Sequence, residues 1–395
     1  MFYLVVFLIL ALFGLLEITD IHGVYKRILL MVSILIMWFI ASLKYEVGGD
    51  WPTYTQFFID IEPLGEVFSG NAPLYHSSYM EPGYKLLNSA VKSIGGNMQW
   101  IFFFVGSINA VLFYTSLRKY CVYPILGILI YYCSIYFPLD LIAIRQAVAV
   151  QLFFLSLFYV HGRRFWPFFW ILLLAFLFHR SAVLLFPLYW MINRPYSLKF
   201  YHIIFFGSAS VFFLQIHWMT GLLNLAADII GGVNGGVIKM YVSSTTYGAN
   251  RVLSVGVLIN FILYFLLIYN RQKLQVFKYY TVFFNLFIIN LVVFFVFYEF
   301  MEISIRYRFY FLLGNVVLLP YLIVIYKDKA LKFVAYLGII SFSFLYGRAV
   351  FLEDSTAIAF NPYQNYLIHL IFDTKSDGLE RLKKSDAEYI ESRKR

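Results

Sequence analysis

Long apolar stretches follow one another along most of the chain, at residues 2–16, 28–43, 100–117, 122–137, 141–160, 166–178, 181–192, 201–219, 252–269, 279–298, 309–326 and 333–346. A bilayer's hydrocarbon core of about 30 Å needs roughly 20 apolar residues in a helix, and several of these runs approach that length. No soluble fold can bury twelve such runs in 395 residues, because only 13% of the residues are Asp, Glu, Lys or Arg, about half the usual share. The expectation is an all-α, polytopic integral membrane protein. It has about twelve transmembrane helices, some short or hairpin-like, forming one membrane domain over 1–372 and followed by a charged tail over 373–395.

The net charge of +10 invites a nucleic-acid reading, but in a membrane protein it is first a record of topology. Every second connection is short and basic: Lys26 and Arg27; Arg118 and Lys119; Arg163 and Arg164; Arg194 and Lys199; Arg271, Lys273 and Lys278; Lys327, Lys329 and Lys332. By the positive-inside rule these face the cytoplasm. The intervening connections then face outward: 44–98, a turn at Pro138–Asp140, the His179 region as the apex of a short hairpin, 220–251, 299–308, and everything after about 347. Residues 220–251, rich in Gly, Ser and Thr, read as a mobile flap. The tail, with seven Lys/Arg and six Asp/Glu from Asp373 on, reads as solvated or loosely helical.

No Walker loop, HExxH or CxxC occurs, and Cys121 and Cys133 suit neither a disulfide framework nor a metal site. No metal, other cofactor or nucleic-acid partner is expected. Chemistry is sought instead among ionisable residues near the outer face, since such groups are costly inside a span. At 1.5 Å per residue, Arg145 lies about 27 Å above the cytoplasmic ends, Arg306 and Arg308 about 31 and 28 Å, and His179 about 22 Å. That is the depth at which the diphosphate of a lipid carrier would lie.

Each residue also has a purely structural role open to it. Arg145 can snorkel to the interface, although Asp140 and Gln146 beside it suggest a polar pocket. Arg306 and Arg308, two apart, point to different sides of a helix, so one is expected at the surface or paired with Glu299 or Glu302. His179 sits between two apolar runs, with Arg180 and Ser181 next to it. Glu81 before Pro82 can serve a helix dipole, and Asp50 before Pro52 can cap a helix. Trp51 and Tyr54 flank Asp50, where an aromatic ring can stack on a sugar.

The order VGGDWPTYTQFF (47–58), EPGYKLLNSAV (81–91), AIRQAVAVQLF (143–153), AFLFHRSAVLLFPLYW (175–190), RYRFYF (306–311) and NPYQNYL (361–367) resembles the EpsG family, the Wzy-like polymerases of capsule, exopolysaccharide and O-antigen synthesis. Trp51 stands where that family usually has Tyr. The resemblance implies a GT-C-like membrane glycosyltransferase in the bacterial inner membrane with its site facing the periplasm. It would join oligosaccharide units carried on undecaprenyl diphosphate, with membrane lipid around it and a chain-length regulator as protein partner. Arg145 and Arg306, with Arg180 or Arg308, would clamp the diphosphate, because guanidinium binds phosphate bidentately and stays charged. His179 or Asp50 would deprotonate the acceptor hydroxyl, and Trp51, Tyr54, Glu81 and Gln146 would contact sugar or acceptor. An O-antigen ligase is the nearest alternative. A lipid-linked oligosaccharide flippase is less favoured, because it would need cations distributed through the bilayer.

Overall fold

A computed structural model of the chain describes residues 1–19, 21–69, 80–243, 253–353 and 357–392. Within them the regular structure is helical, apart from one isolated antiparallel bridge between Lys44 and Asn365. In chain order the helices are α1 (Phe2–Ile18), α2 (Gly23–Ser42), α3 (Trp51–Asp60), α4 (Leu64–Phe68), α5 (Pro82–Ser93), α6 (Met98–Tyr120), α7 (Pro124–Tyr131, continued by a π-helix over Tyr132–Ile142), α8 (Ile144–His161) and α9 (Phe165–Phe178). A 3₁₀ segment, Arg180–Leu185, leads to α10 (Leu188–Met191), α11 (Leu198–Phe213), α12 (Trp218–Ile230), α13 (Gly232–Ser243), α14 (Val255–Tyr269), α15 (Arg271–Leu274) and α16 (Tyr280–Val296). The last are α17 (Met301–Phe311), α18 (Leu313–Val324), α19 (Lys329–Phe351), α20 (Tyr366–Phe372) and α21 (Gly378–Ser392).

Five of these are long and apolar enough to cross a membrane: α2, α6, α7 with its π extension, α8 and α19. Two bent pairs, α11–α12 at 73° and α17–α18 at 50°, bring the number to seven, and α1, α9, α14 and α16 are shorter apolar helices. The chain is therefore a polytopic membrane protein. Among the described residues, eleven helical segments answer the twelve expected runs. The missing one is 181–192, where Pro187 falls mid-run and no helix of crossing length forms, since proline lacks the N–H and clashes with the preceding turn.

The Pro138–Asp140 turn does not exist either. The π-helix runs through it, and the Ala143 N–H donates to Pro138 O at 3.0 Å, five residues back. The wider π register carries the chain past the proline and moves the reversal to Ala143. Asp140 thereby lies inside a span. The outer stretch 44–98 is α3, α4 and α5 where described, with 70–79 outside the described residues. Most of the expected flap is α12 and α13, with 244–252 outside them.

The chain divides into two compact units, Met1–Tyr189 with Leu319–Arg395, and Trp190–Leu318. At the centre of the first unit stand α7 with its π extension and α8, buried nearly all round. Apart from a few polar residues, Asp140, Arg145, Gln146 and Gln151 among them, they are mainly apolar, the pattern of a core helix, and α1, α2, α6, α9 and α19 surround them. Helix ends are closed by polar atoms, as a medium without water requires. Glu17 of α1 accepts from the N–H groups of Ile125 and Leu126 at 3.0 and 3.1 Å, capping α7 from a neighbouring helix. Asn97 caps α6 and Asp328 caps α19. In the second unit, α11 packs on α16 and α16 on α17. There Tyr201 Oη donates to Asn285 Oδ1 at 2.7 Å, while the Asn285 amide donates to the carbonyls of Ile192 and Arg194.

In the first unit, the helix ends opposite the short basic connections are laced into one face. Gln99 donates to Ser42 O at 3.0 Å, joining α6 to α2. The Lys44 amine, 1% exposed, donates to the carbonyls of Asp140 and Leu141 at 3.1 and 2.7 Å and so closes the end of the π-helix. Gly48, at φ +92°, runs against Leu141 O, where a Cβ would sit 2.5 Å away. The C-terminal segment ties down the same loop: Tyr366 N–H donates to Leu43 O, Tyr45 N–H to Gln364 O and Gly48 N–H to Ala359 O. The tail is a helix held by Arg381, 7% exposed, which donates to Pro362 O and Glu46 O.

Burial lowers the Lys44 pKa from 10.5 to about 7, against the opposing charges of Asp140 and Asp50. Between those values the unfolded chain holds a proton that the folded chain lacks, so the free energy of unfolding rises with pH. In detergent, the wild type's unfolding free energy should therefore increase from pH 7 to about 10, and Lys44→Met should lack that component. Parallel pH profiles for the two proteins would contradict the burial argument.

Candidate active site

Pro82 begins α5 and leaves Glu81 as its N-cap in extended conformation, with the side chain projecting ahead of the helix. Glu81 does not cap α5 with that side chain. Its carboxylate, 4% exposed, forms an ion pair with Arg145 through Oε2 and accepts the Arg180 backbone N–H through Oε1 at 3.3 Å. Gly83 allows this geometry. It lies against the end of α9, where a Cβ would stand 2.8 Å from Leu177 O.

Arg145 is the second residue of α8. A cation there opposes the positive end of the helix dipole, and Glu81 compensates. The guanidinium carbon lies 5.9 Å from the ring centroids of both Tyr54 and Tyr84. Its Nε is buried with no hydrogen-bond partner, leaving a donor direction for an anion. Tyr54, 2% exposed, presents no open face to a sugar, and its role is to seat the guanidinium. Burial raises the Tyr54 pKa, with the Asp50 charge adding to the shift and Arg145 opposing it.

One turn after Glu81 comes Lys85, 2% exposed. Burial and the Arg180 charge lower its pKa, with Glu81 opposing. Arg145, Arg180 and Lys85 thus surround a single carboxylate, and such an excess of positive charge suits an anionic ligand. Arg180 is exposed, Arg145 is partly exposed and Lys85 is buried.

Asp50 occupies the N-cap position of α3 but makes no capping bond with its side chain. It is exposed and close enough to Tyr54 and Lys44 to shift both. Trp51 beside it is partly exposed, with a buried indole N–H that has no partner. His179 is the C-cap of α9, directly before Arg180, and its Nδ1 is 2.6 Å from Ser181 Oγ. Gln146 is 2% exposed and faces the protein interior.

Six sequence candidates, Asp50, Tyr54, Glu81, Arg145, His179 and Arg180, are thus linked through shared neighbours. Arg306 and Arg308 belong to the second unit. There Arg308 is 7% exposed, with Nε donating to Asn290 Oδ1 at 3.0 Å and its guanidinium 4.6 Å from the Phe294 ring. Arg306 is exposed, so the two do point to different sides. Glu299, one of the two acids named as a possible partner, accepts from Met219 and Thr220 N–H and so caps α12. Sequence reasoning assigned no role to Lys85 or Tyr84, although the Glu81–Lys85 spacing of four on a helix carried the signal. Among the described residues no three His, Cys, Asp or Glu side chains gather as a metal site.

The model of the EpsG family matches residues 27–365, from the start of α2 to the residue before α20. The chain belongs to the EpsG family. No curated protein and no solved structure matches it. EpsG membership associates the chain with glycosyltransferase-like polysaccharide polymerases. The matched span takes in every candidate residue of this EpsG protein and leaves α20 and α21 outside.

Because Gly83 sets the approach of α5 to α9, Gly83→Val should push Glu81 away from the Arg180 amide and Arg145 without altering any charge. Polymer formation should fall at least tenfold at normal protein level, whereas Gly65→Val, at a glycine with open space around it, should be tolerated. Equal activity of the two variants would mean that the Glu81 contacts do not organise the site.

Proposed function

We propose that this EpsG-family protein is a polysaccharide polymerase of the bacterial cytoplasmic membrane. It transfers a growing glycan from undecaprenyl diphosphate to a new lipid-linked repeat unit at the periplasmic face. The observation that carries the reading is the group of Arg145, Arg180 and Lys85 around the single carboxylate of Glu81, on the face opposite the basic connections. By the positive-inside rule that face is periplasmic.

In this reading the acceptor hydroxyl oxygen attacks the anomeric carbon of the donor. The bond from that carbon to the phosphate oxygen breaks, and the diphosphate leaves with the electron pair. Arg145 and Arg180 stabilise the charge growing on it, in the manner of preorganised cations, and Lys85 adds a third positive charge. The hydroxyl proton passes to Asp50 or His179. Asp50 is favoured as the base because its carboxylate is exposed and makes no capping bond, whereas Ser181 holds the His179 ring through Nδ1. Trp51 is the aromatic left to meet a sugar. A direct displacement inverts the anomeric centre. In the second unit, Arg308 ranks ahead of Arg306 as the substrate-binding candidate, because Asn290 and Phe294 hold its guanidinium. Membrane lipid and a chain-length regulator are the further partners of this reading.

A ligase would share this chemistry but attach finished polymer to a lipid core. A flippase is disfavoured because it would need cations distributed through the bilayer, whereas α7 with its π extension carries no Lys or Arg and α8 carries only Arg145, in its first turn.

Arg145→Ala should lower polymerisation by about 10²–10³-fold and leave lipid-linked repeat units on the periplasmic face, with Arg145→Lys recovering only part of the activity. Asp50→Asn should be inactive and His179→Ala partly active. Full-length polymer left on the carrier would instead indicate a ligase, and repeat units confined to the cytoplasmic face a flippase. Full activity of Arg145→Ala would remove the clamp.

A further inference from the structure

A second polar constellation lies within the first unit, away from the Glu81 cluster. A cavity of about 20 Å³ is lined by Asn109 of α6, Tyr131 of α7, Asp140 of the π-helix and Gln151 of α8, with Trp38 and Ala110 among its apolar walls. All four polar residues are at least nine-tenths buried, at 3%, 1%, 6% and 1% exposure. Asn109 is eleven residues into α6, about 16 Å along that helix, near the middle of a core about 30 Å thick. The space holds one occupant the size of a water molecule.

The hydrogen-bond chemistry restricts what that occupant can be. An ionised carboxylate only accepts, so Asn109 turns its NH₂ to Asp140 Oδ1 at 3.0 Å, and Asn109 Oδ1 is left buried with no partner. Tyr131 gives its one hydroxyl hydrogen to Asp140 Oδ2 at 2.6 Å. Gln151 must then turn its NH₂ to the Tyr131 oxygen at 2.8 Å, and Gln151 Oε1 is likewise buried without a partner. Each donor group in the network is thus already turned to an oxygen, and the two amide oxygens beside the cavity are left without a hydrogen. The carboxylate forms no salt bridge among the described residues. The nearest cation, Lys44, directs its amine to the backbone carbonyls of Asp140 and Leu141.

We infer that this cavity is a binding site for a single sodium ion, held by the Asp140 carboxylate and the amide oxygens of Asn109 and Gln151, with the Tyr131 hydroxyl oxygen beside them. Carboxylate, amide and hydroxyl oxygens are hard donors that suit hard cations. A monovalent ion neutralises the single carboxylate in a medium where net charge is costly. The site joins α6, α7 with its π extension and α8, so occupancy would stabilise the folded core by mass action.

The test uses the full-length protein in detergent, unfolded thermally in sodium chloride and in choline chloride at equal ionic strength, with radioactive sodium binding measured in parallel. The wild type should show a saturable rise of its midpoint in sodium only and bind one ion per chain. Gln151→Leu, which removes one acceptor and leaves Asp140 in place, should weaken sodium binding at least tenfold. Asp140→Asn should abolish it, and if that variant does not fold, Gln151→Leu alone decides. Identical wild-type midpoints in the two salts with no bound sodium overturn the proposal in favour of a water molecule. Undiminished sodium binding by Gln151→Leu overturns the assignment of the site.

Discussion

Removing a carboxylate from water costs several kcal/mol unless charge and hydrogen bonds replace the solvent, and the candidate site of this protein is arranged around one such group. Glu81 holds the guanidinium of Arg145 from α8 and the backbone of Arg180 past the end of α9, while its own helix rests on Leu177 through Gly83. Three elements meet at that side chain. Two neutral partners would not fix them as firmly, because an unpaired buried charge is penalised far more than an unmade neutral hydrogen bond. The same ion pair keeps Arg145 extended at a helix N-terminus, an unfavourable place for a cation. Positive charge is thus held in place by the protein itself, the arrangement that electrostatic preorganisation requires of the proposed site.

The helices forming this face could be found from the sequence because a bilayer imposes a single rule on a spanning segment, about twenty apolar residues with charges at the ends. The runs that became α2, α6, α8 and α19 obey it. Exceptions arose where local backbone chemistry prevailed over hydropathy. Pro138 and Asp140 look like a turn, yet the π register carried the helix through both and moved the reversal to Ala143. Pro187 had the opposite effect and reduced an apolar run to a 3₁₀ segment and one helical turn.

The candidate site was legible to the extent that its residues carry charge at a definable depth. Arg145, His179 and Arg180 were found in that way, and Glu81 and Asp50 by their positions before prolines. Which groups meet was not legible. Tyr54 looked like a sugar platform and lies beside a guanidinium, and Lys85, to which sequence reasoning assigned no role, is buried within reach of the Arg180 charge. Arg306 was placed ahead of Arg308, yet Arg308 is the buried one. Such distinctions depend on helical phase against neighbouring elements, and a single sequence does not contain the neighbours. Lys44 and Glu17 are similar cases, since each caps a helix remote in sequence.

The reversal at Ala143 has one further consequence. Asp140 and Arg145 are five residues apart and of opposite charge, and a continuous α-helix would fix them about 140° apart round one axis. The chain turns between them. The end of the π-helix directs Asp140 among Asn109 and Tyr131, whereas the start of α8 delivers Arg145 to Glu81. The turn gives each charge its own surroundings: among the described residues the carboxylate forms no salt bridge, and the guanidinium pairs with Glu81 in the candidate site. Lys44, bound to the carbonyls of Asp140 and Leu141 just before the reversal, closes the end of the π-helix. The buried network of Asp140 and the candidate site around Glu81 therefore depend on one structural element, and a change that restored a regular helix through residues 138–145 would take both charges away from their present partners.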